Sequence, residues 1–217
     1  MATTFESTRP VQQMEIVGAP TAADPAPLGL AAFALTTFLL SAHNAGWTKG
    51  TGLDWLGYAL AYGGTCQLLA GMWEFKNRNV FGATAFSTYG GFWIGLGLYV
   101  LLGAGHATGH MLTNDLGWIL LAFFIFNTYM LLWSLFVNKA VLAVFFTLEI
   151  TELLLFIGNF AHTTNLVKAG GIVGVITAAC AWYTSAAGVV NGMAGRHVLF
   201  VGKPMSFPAP SSSASLR

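Results

Sequence analysis

Charge is scarce in this sequence. Only 8% of its 217 residues are Asp, Glu, Lys or Arg, whereas a water-soluble domain carries about a quarter, because a surface facing water needs them. The chain therefore lacks the means to cover a soluble surface, which argues against a soluble enzyme. A formal charge of +1 leaves no basic face for phosphates, so nucleic acid is not an expected partner. The two cysteines, Cys66 and Cys180, lie inside apolar runs, which excludes a secreted disulfide scaffold. No apolar run contains a lysine for a Schiff base, an intramembrane His-x-x-x-His or a cysteine cluster, so neither a metal nor another cofactor is expected.

Apolar residues fill the space that charge leaves: 55% of the chain is hydrophobic and the mean hydropathy is +0.66. They fall into six stretches, Leu28 to Trp47, Trp55 to Phe75, Thr84 to Leu102, Leu116 to Val137, Ala140 to Ala161 and Gly170 to Gly192. Each is about 20 residues long, near the ~30 Å a helix needs to cross a bilayer. A transmembrane barrel would need alternating segments of about ten residues, so continuous runs mean helices. The fold class predicted is an all-α integral membrane protein with six transmembrane helices. Residues 1–27 read as a flexible tail without a signal-peptide pattern, 28–193 as the membrane domain and 194–217 as a second flexible tail.

Lysine and arginine give the orientation. Arg9, Lys76, Arg78, Lys139, Arg196, Lys203 and Arg217 fall on one side and Lys49 and Lys168 on the other. The first side is cytoplasmic by the positive-inside rule, which puts both termini there and agrees with an even helix count. Trp47, Trp55, Trp118 and Trp133 lie near the ends of the runs, where indole rings favour the interface. Gly91 with Gly95, Gly170 with Gly174, and Gly188 with Gly192 repeat at four-residue spacing. That spacing lets helix backbones approach closely in lipid, within one subunit or between subunits.

The first helix begins Asp24-Pro25-Ala26-Pro27-Leu28-Gly29-Leu30. Proline at a helix start costs no hydrogen bond, and Asp caps the free N–H groups. The same residues read either as a rigid cap or as a helix amino terminus that helps to hold a small anion. This segment resembles the Asn-Pro-Ala-Pro-Leu-Gly-Leu signature of the acetate uptake transporter family, which includes the succinate–acetate permeases of bacteria and the ammonia/acetate-associated membrane proteins of fungi. The resemblance continues through Thr36-Thr37, His43-Asn44, Tyr62-Gly63-Gly64, Gln67, Ala70-Gly71, Glu74, Phe81 to Phe86, Tyr89 to Trp93 and Ile157-Gly158-Asn159.

The resemblance implies six-helix protomers assembled as a hexamer, each with its own path for acetate and related short carboxylates, coupled to protons. It also implies a hydrophobic constriction, matched here by Phe33, Tyr89 and Leu148. Path-lining candidates are Asp24, Pro25, Pro27, Leu28, Gly29, Thr37, His43, Asn44, Asn159 and Tyr183. Asp24 stands where the family has Asn; an ionised carboxylate at the mouth would repel acetate, so Asp24 is expected to be neutral or turned away.

Glu149 and Glu152 are three apart on one helical face, and each costs on the order of 3 kcal/mol at a bilayer centre. They read as proton-coupling candidates, or as a buried pair bonded to neighbouring helices. Glu74, beside Lys76 and Arg78, reads as an interfacial cap or ion pair. His106 and His110, four apart in a Gly-rich loop, have only Asp115 nearby and make a weak metal site, while His162 and His197 read as loop and tail residues. Asn127 reads as a helix-to-helix hydrogen-bonding residue. The function expected is proton-coupled transport of acetate, with succinate as a further substrate, in the plasma membrane. The alternatives are channel-like conduction of acetate or of a small neutral solute such as urea or an amide.

Overall fold

The computed structural model describes residues 22–103 and 109–206, and these contain helices and connections but no strand. Arg9, Pro10, Pro20, His106, Arg217 and the Pro/Ser-rich end lie outside the described residues. Helix α1 runs Ala26–Asn44, α2 covers 56–76, α3 is Val80–Gly103, α4 Gly109–Ser134, α5 Lys139–Phe160 and α6 Thr164–Ala194. All but α2 are long and apolar enough to cross a membrane by length and composition.

Several helices overrun the expected limits, because run length detects only the part in hydrocarbon and not the turns that continue into the polar interface. Helix α1 starts at Ala26, since Pro25 and Pro27 suit a first turn. Helix α4 starts at Gly109, so His110 is helical rather than looped. Helix α6 starts at Thr164 and takes Lys168 out of the expected loop, with its stem against Gly46.

Helix α2 departs most. Its turns Leu56–Tyr58 and Gln67–Lys76 are α-helical, but Ala59–Cys66 between them is a π-helix. Thr65 Oγ1 donates to the Leu60 carbonyl five residues back, at 2.8 Å. Such widened turns are rare. Here Gly63 and Gly64 form the contact surface: a Cβ on Gly63 would meet Thr36 Oγ1 at 2.5 Å, and one on Gly64 would meet the Ile94 side chain at 2.6 Å.

Packing follows small residues. Helix α1 lies against α6, where Gly171 and Gly174 face Ser41 and Gly188 faces Pro27. Helix α5 packs on α6 and α4, and the second half of α2 on α3. Gly170 meets Leu155, so the Gly170/Gly174 pair packs within the protomer, whereas Gly91, Gly95 and Gly192 have nothing within 4 Å. Helices α3 and α4 meet sparsely through their backbones and are bridged by rings, Tyr89 with Phe123 and Phe126, and Phe92 with Phe123. Trp55 is buried against Ala59 and Trp93 with its Nε1 donating to the Gly52 carbonyl, whereas Trp47, Trp118 and Trp133 are exposed.

Residues 195–206, expected to be loose, run back across the α4–α5 turn. Asn191 Oδ1 accepts from the backbone N–H groups of Val198 and Leu199, Ala140 N–H donates to Val201, and Met205 N–H donates to Leu135. These bonds satisfy backbone groups that would otherwise need water.

Candidate functional site

Three cavities lie in series through the helices. The first, about 80 Å³, opens near the end of the bundle that carries Ala26 and is lined by α1, α2, α3 and α5, with Gln67, Glu74 and Asn79 as its polar members. A central cavity of about 40 Å³ follows, bordered by Thr37, Ser41, Asn44, Trp93, Thr151 and Glu152. Beyond it a vestibule of about 360 Å³ holds His43, Asn44 and Asn159. Phe33, Tyr89 and Leu148 line both the first cavity and the central one. All three are buried in one hydrophobic cluster, and the Phe33 and Tyr89 rings meet edge to face at 5.7 Å.

Polar atoms without partners mark both sides of this narrowing. Gln67 Oε1 and Glu74 Oε1 border the first cavity; Thr37 Oγ1, Trp93 Nε1 and Glu152 Oε2 border the central one. Burying a polar group unpaired costs about 1–3 kcal/mol, so atoms of this kind are ready partners for a solute or for water. Glu74 is not ion-paired among the described residues: it is 1% exposed, and Gly82 leaves the space that its carboxylate and the Asn79 amide occupy. The adjacent Lys76 lies over the Trp73 ring instead, at 4.9 Å.

Glu152 is 4% exposed. Its Oε1 lies 3.4 Å from the Tyr89 hydroxyl, which donates to Asn127 Oδ1 at 2.9 Å. Asn127 Nδ2 donates to Glu149 Oε2 at 2.6 Å and to the Phe145 carbonyl at 3.0 Å. Glu149 Oε1 accepts from Thr128 Oγ1 at 2.7 Å. The two glutamates thus share a helix but not a setting: one borders the central cavity, and the other is turned to the α4–α5 seam. Asn127 bonds across helices as expected, and joins α3, α4 and α5 at one point.

The remaining candidates separate. Asp24 is exposed, and its Oδ1 accepts from the Ala26 N–H at 2.9 Å, so it occupies the first free donor of α1 itself while Pro25 takes the cap position. The Pro27 carbonyl accepts from Ser185 Oγ at 2.6 Å, which ties α1 to α6. Gly29 packs on the Phe86 ring, and Leu28 faces outward. Asn159 donates to the Leu155 carbonyl at 2.8 Å at the vestibule wall. Tyr183 is not brought to the path: it is 46% exposed, and its hydroxyl donates to the Phe200 carbonyl at 2.6 Å. The His110 and His162 rings meet edge to face at 4.7 Å, and Asp115 accepts from the Tyr99 hydroxyl at 2.9 Å rather than joining them. Among the described residues no group of three His, Cys, Asp or Glu could hold a metal ion.

Gln67, Glu74 and Trp93 were not among the expected site residues. Gln67 had a signal, since an amide inside an apolar run needs a reason to be there. Trp93 had none, because an indole is at home in any apolar span.

Comparison with known proteins places this arrangement. The GPR1/FUN34/yaaH family matches residues 6–209. Acetate permease A of Emericella nidulans is 41% identical over 185 residues, covering 78% of this chain and 62% of the relative. The succinate-acetate/proton symporter SatP of Escherichia coli strain K12 is 37% identical over 181 residues, covering 83% of this chain and 96% of the relative. The chain thus spans less than two thirds of the fungal relative but nearly all of the bacterial one. In the solved structure of the bacterial acetate channel SatP the same helices superpose with a TM-score of 0.78 at 37% identity, covering 83% of this chain and 99% of that one. With six packed helices among its described residues and a matching sequence over nearly its whole length, the chain belongs to the GPR1/FUN34/yaaH family.

Proposed function

We propose that this protein moves acetate and related short carboxylates, succinate among them, across a cell membrane together with a proton. The observation that carries this reading is the ring of Phe33, Tyr89 and Leu148 shared by the two cavities on either side of it, in a chain some of whose relatives are named for acetate or succinate passage. A ring of two aromatic groups and a leucine excludes hydrated ions, so a carboxylate sheds most of its water to pass. An unpaired ion in such a place costs several kcal/mol. Trp93 Nε1 offers a hydrogen bond to an oxygen anion beyond the ring. A proton travelling with the solute removes the rest of the penalty, and also the ~2.3 kcal/mol per charge per 100 mV that an anion meets on entering against the membrane potential.

The proton-coupling residues in this reading are Glu149 and Glu152, and the vestibule polar groups are His43, Asn44 and Asn159. Asp24 has one carboxylate oxygen bonded to the start of its own helix and stands outside the lining of the first cavity. The assembled form is a homohexamer in the plasma membrane, with one path per subunit and both chain ends cytoplasmic, as the family resemblance and the basic residues suggest.

The test is uptake of labelled acetate by liposomes holding the purified protein under an inward proton gradient. Flux above empty liposomes that falls when the gradient is collapsed is the expected result. No acetate flux overturns the reading, whereas flux indifferent to the proton gradient replaces coupled transport with channel-like conduction. Flux of urea in place of acetate makes the protein a neutral-solute channel.

A further inference from the structure

The hydrogen-bond directions around Glu149 and Glu152 are not interchangeable, and Asn127 fixes them. A backbone carbonyl can only accept, so the atom facing Phe145 O at 3.0 Å is the Asn127 amide nitrogen, which also meets Glu149 Oε2 at 2.6 Å. Both amide hydrogens are then used, and Oδ1 faces Tyr89. Tyr89 has one hydroxyl hydrogen and two acceptors within reach, Asn127 Oδ1 at 2.9 Å and Glu152 Oε1 at 3.4 Å, and the shorter contact takes it. The remaining contact, 3.4 Å between the Tyr89 oxygen and Glu152 Oε1, then joins two oxygens with no hydrogen between them unless Glu152 supplies it.

Glu149 has the opposite surroundings. Its Oε2 takes a hydrogen from Asn127 and its Oε1 one from Thr128 at 2.7 Å. The other acceptor near that hydroxyl, Phe124 O at 2.8 Å, lies within α4, where the helix already gives it an N–H. Glu149 is thus supplied with donors, and Glu152 with an acceptor.

We infer that the pair holds one proton, with the negative charge on Glu149 and the proton on Glu152, and that Asn127 is the positioning residue that sets this order by engaging the Tyr89 hydroxyl hydrogen. The groups facing Glu152 are Tyr89 from α3, Asn127 through Tyr89 from α4, and Glu149 on its own helix; around the central cavity α1 adds only Phe33, Thr37, Leu40, Ser41 and Asn44. No Lys, Arg or His lines that cavity, so nothing else there neutralises Glu152. The order matters for passage. Glu152 Oε2 has no partner and borders the central cavity, so a neutral Glu152 meets a carboxylate without repelling it, and an ionised one closes the way. This deepens the proton-coupled reading above and rests on it for its meaning, but not for its test.

The test is infrared spectroscopy of the full chain in liposomes, following the carbonyl stretch of protonated carboxylic acids with pH. Glu152→Gln removes one component of that band, whereas Glu149→Gln keeps it and moves its titration to lower pH, because a neighbouring negative charge is gone. Asn127→Leu frees the Tyr89 hydroxyl to serve an ionised Glu152, so the component falls about fivefold at the pH where the parent is half protonated, the result of a one-unit shift. That component surviving Glu152→Gln, its absence at every pH in Glu149→Gln, or an unchanged titration in Asn127→Leu overturns the assignment. Should Asn127→Leu not fold, Tyr89→Phe removes the acceptor from Glu152 and shifts the component in frequency; an unshifted component overturns the assignment equally. Labelled acetate uptake is measured on the same liposomes. Absent uptake with the expected bands would end the transport reading and leave the proton assignment standing, and uptake with the bands reversed would do the opposite.

Discussion

Replacing Gly171 by alanine sets a methyl group against backbone. The added Cβ lies 2.7 Å from the Ser41 carbonyl oxygen and 2.8 Å from the Asn44 carbonyl carbon, both on the neighbouring helix α1. Neither atom is the end of a flexible side chain, so the helices themselves must part. Overpacking of this kind costs about 3 kcal/mol, at the upper end of the usual range, because rotamer changes give no relief. Alanine returns about 1 kcal/mol as the better helix former, leaving a net loss of about 2 kcal/mol. Gly91→Ala is the control: nothing lies within 4 Å of its Cβ, so only the gain of about 1 kcal/mol remains. The two variants should therefore differ by about 3 kcal/mol in unfolding free energy, measured by SDS titration of the purified, detergent-solubilised protein. Acetate uptake should fall in Gly171→Ala, since α1 carries Phe33, Thr37 and Asn44 to the cavities. Equal stability of the two variants would refute the close-approach reading of the α1–α6 contact.

Further outcomes follow from individual contacts. Tyr89→Phe leaves Asn127 Oδ1 buried and unpaired, costing about 1–3 kcal/mol; in an Asn127→Leu background the same change should cost at least about 1 kcal/mol less, and additivity in the double-mutant cycle would show that the bond contributes nothing. Asp24→Asn keeps the acceptor for the Ala26 N–H and should retain acetate uptake across pH, so complete loss of uptake in that form would show that the carboxylate is needed. Asn191→Ala removes the acceptor of two backbone N–H groups, and hydrogen exchange at Val198 and Leu199 should quicken while that of α1 stays slow. Tyr183→Phe should leave acetate flux within about twofold of the parent, its stability lowered by about 1 kcal/mol through loss of the bond to Phe200; loss of flux would return Tyr183 to the path.

The spans were legible because lipid imposes one rule on every residue in them, and run length reports it. What lies outside that rule was not. The π turn at Ala59–Cys66 depends on how Gly63 and Gly64 meet Thr36 and Ile94, and no periodicity records a partner on another helix. Glu74 misled because its charged sequence neighbours suggested pairing, whereas the chain turns Lys76 to Trp73 and folds the carboxylate inward. Tyr183 looked like a polar group in need of a path, but the partner was the returning segment after α6, whose course the proline- and serine-rich composition beyond it concealed. Glu149 and Glu152 stood out by their cost in lipid. Their spacing gave a shared face, and only the placement of Asn127 on a different helix tells one from the other.

The ring-to-ring bridge between α3 and α4 has a consequence for speed. A wall built of helix backbones opens by collective displacement, on microsecond to millisecond timescales, and each opening breaks and remakes extended packing. Tyr89, Phe92, Phe123 and Phe126 meet instead through side chains, whose torsions move without carrying a helix along. The α3–α4 seam can therefore loosen by the tilt of its phenylalanine rings without a displacement of either helix, while Tyr89 stays held through its hydroxyl.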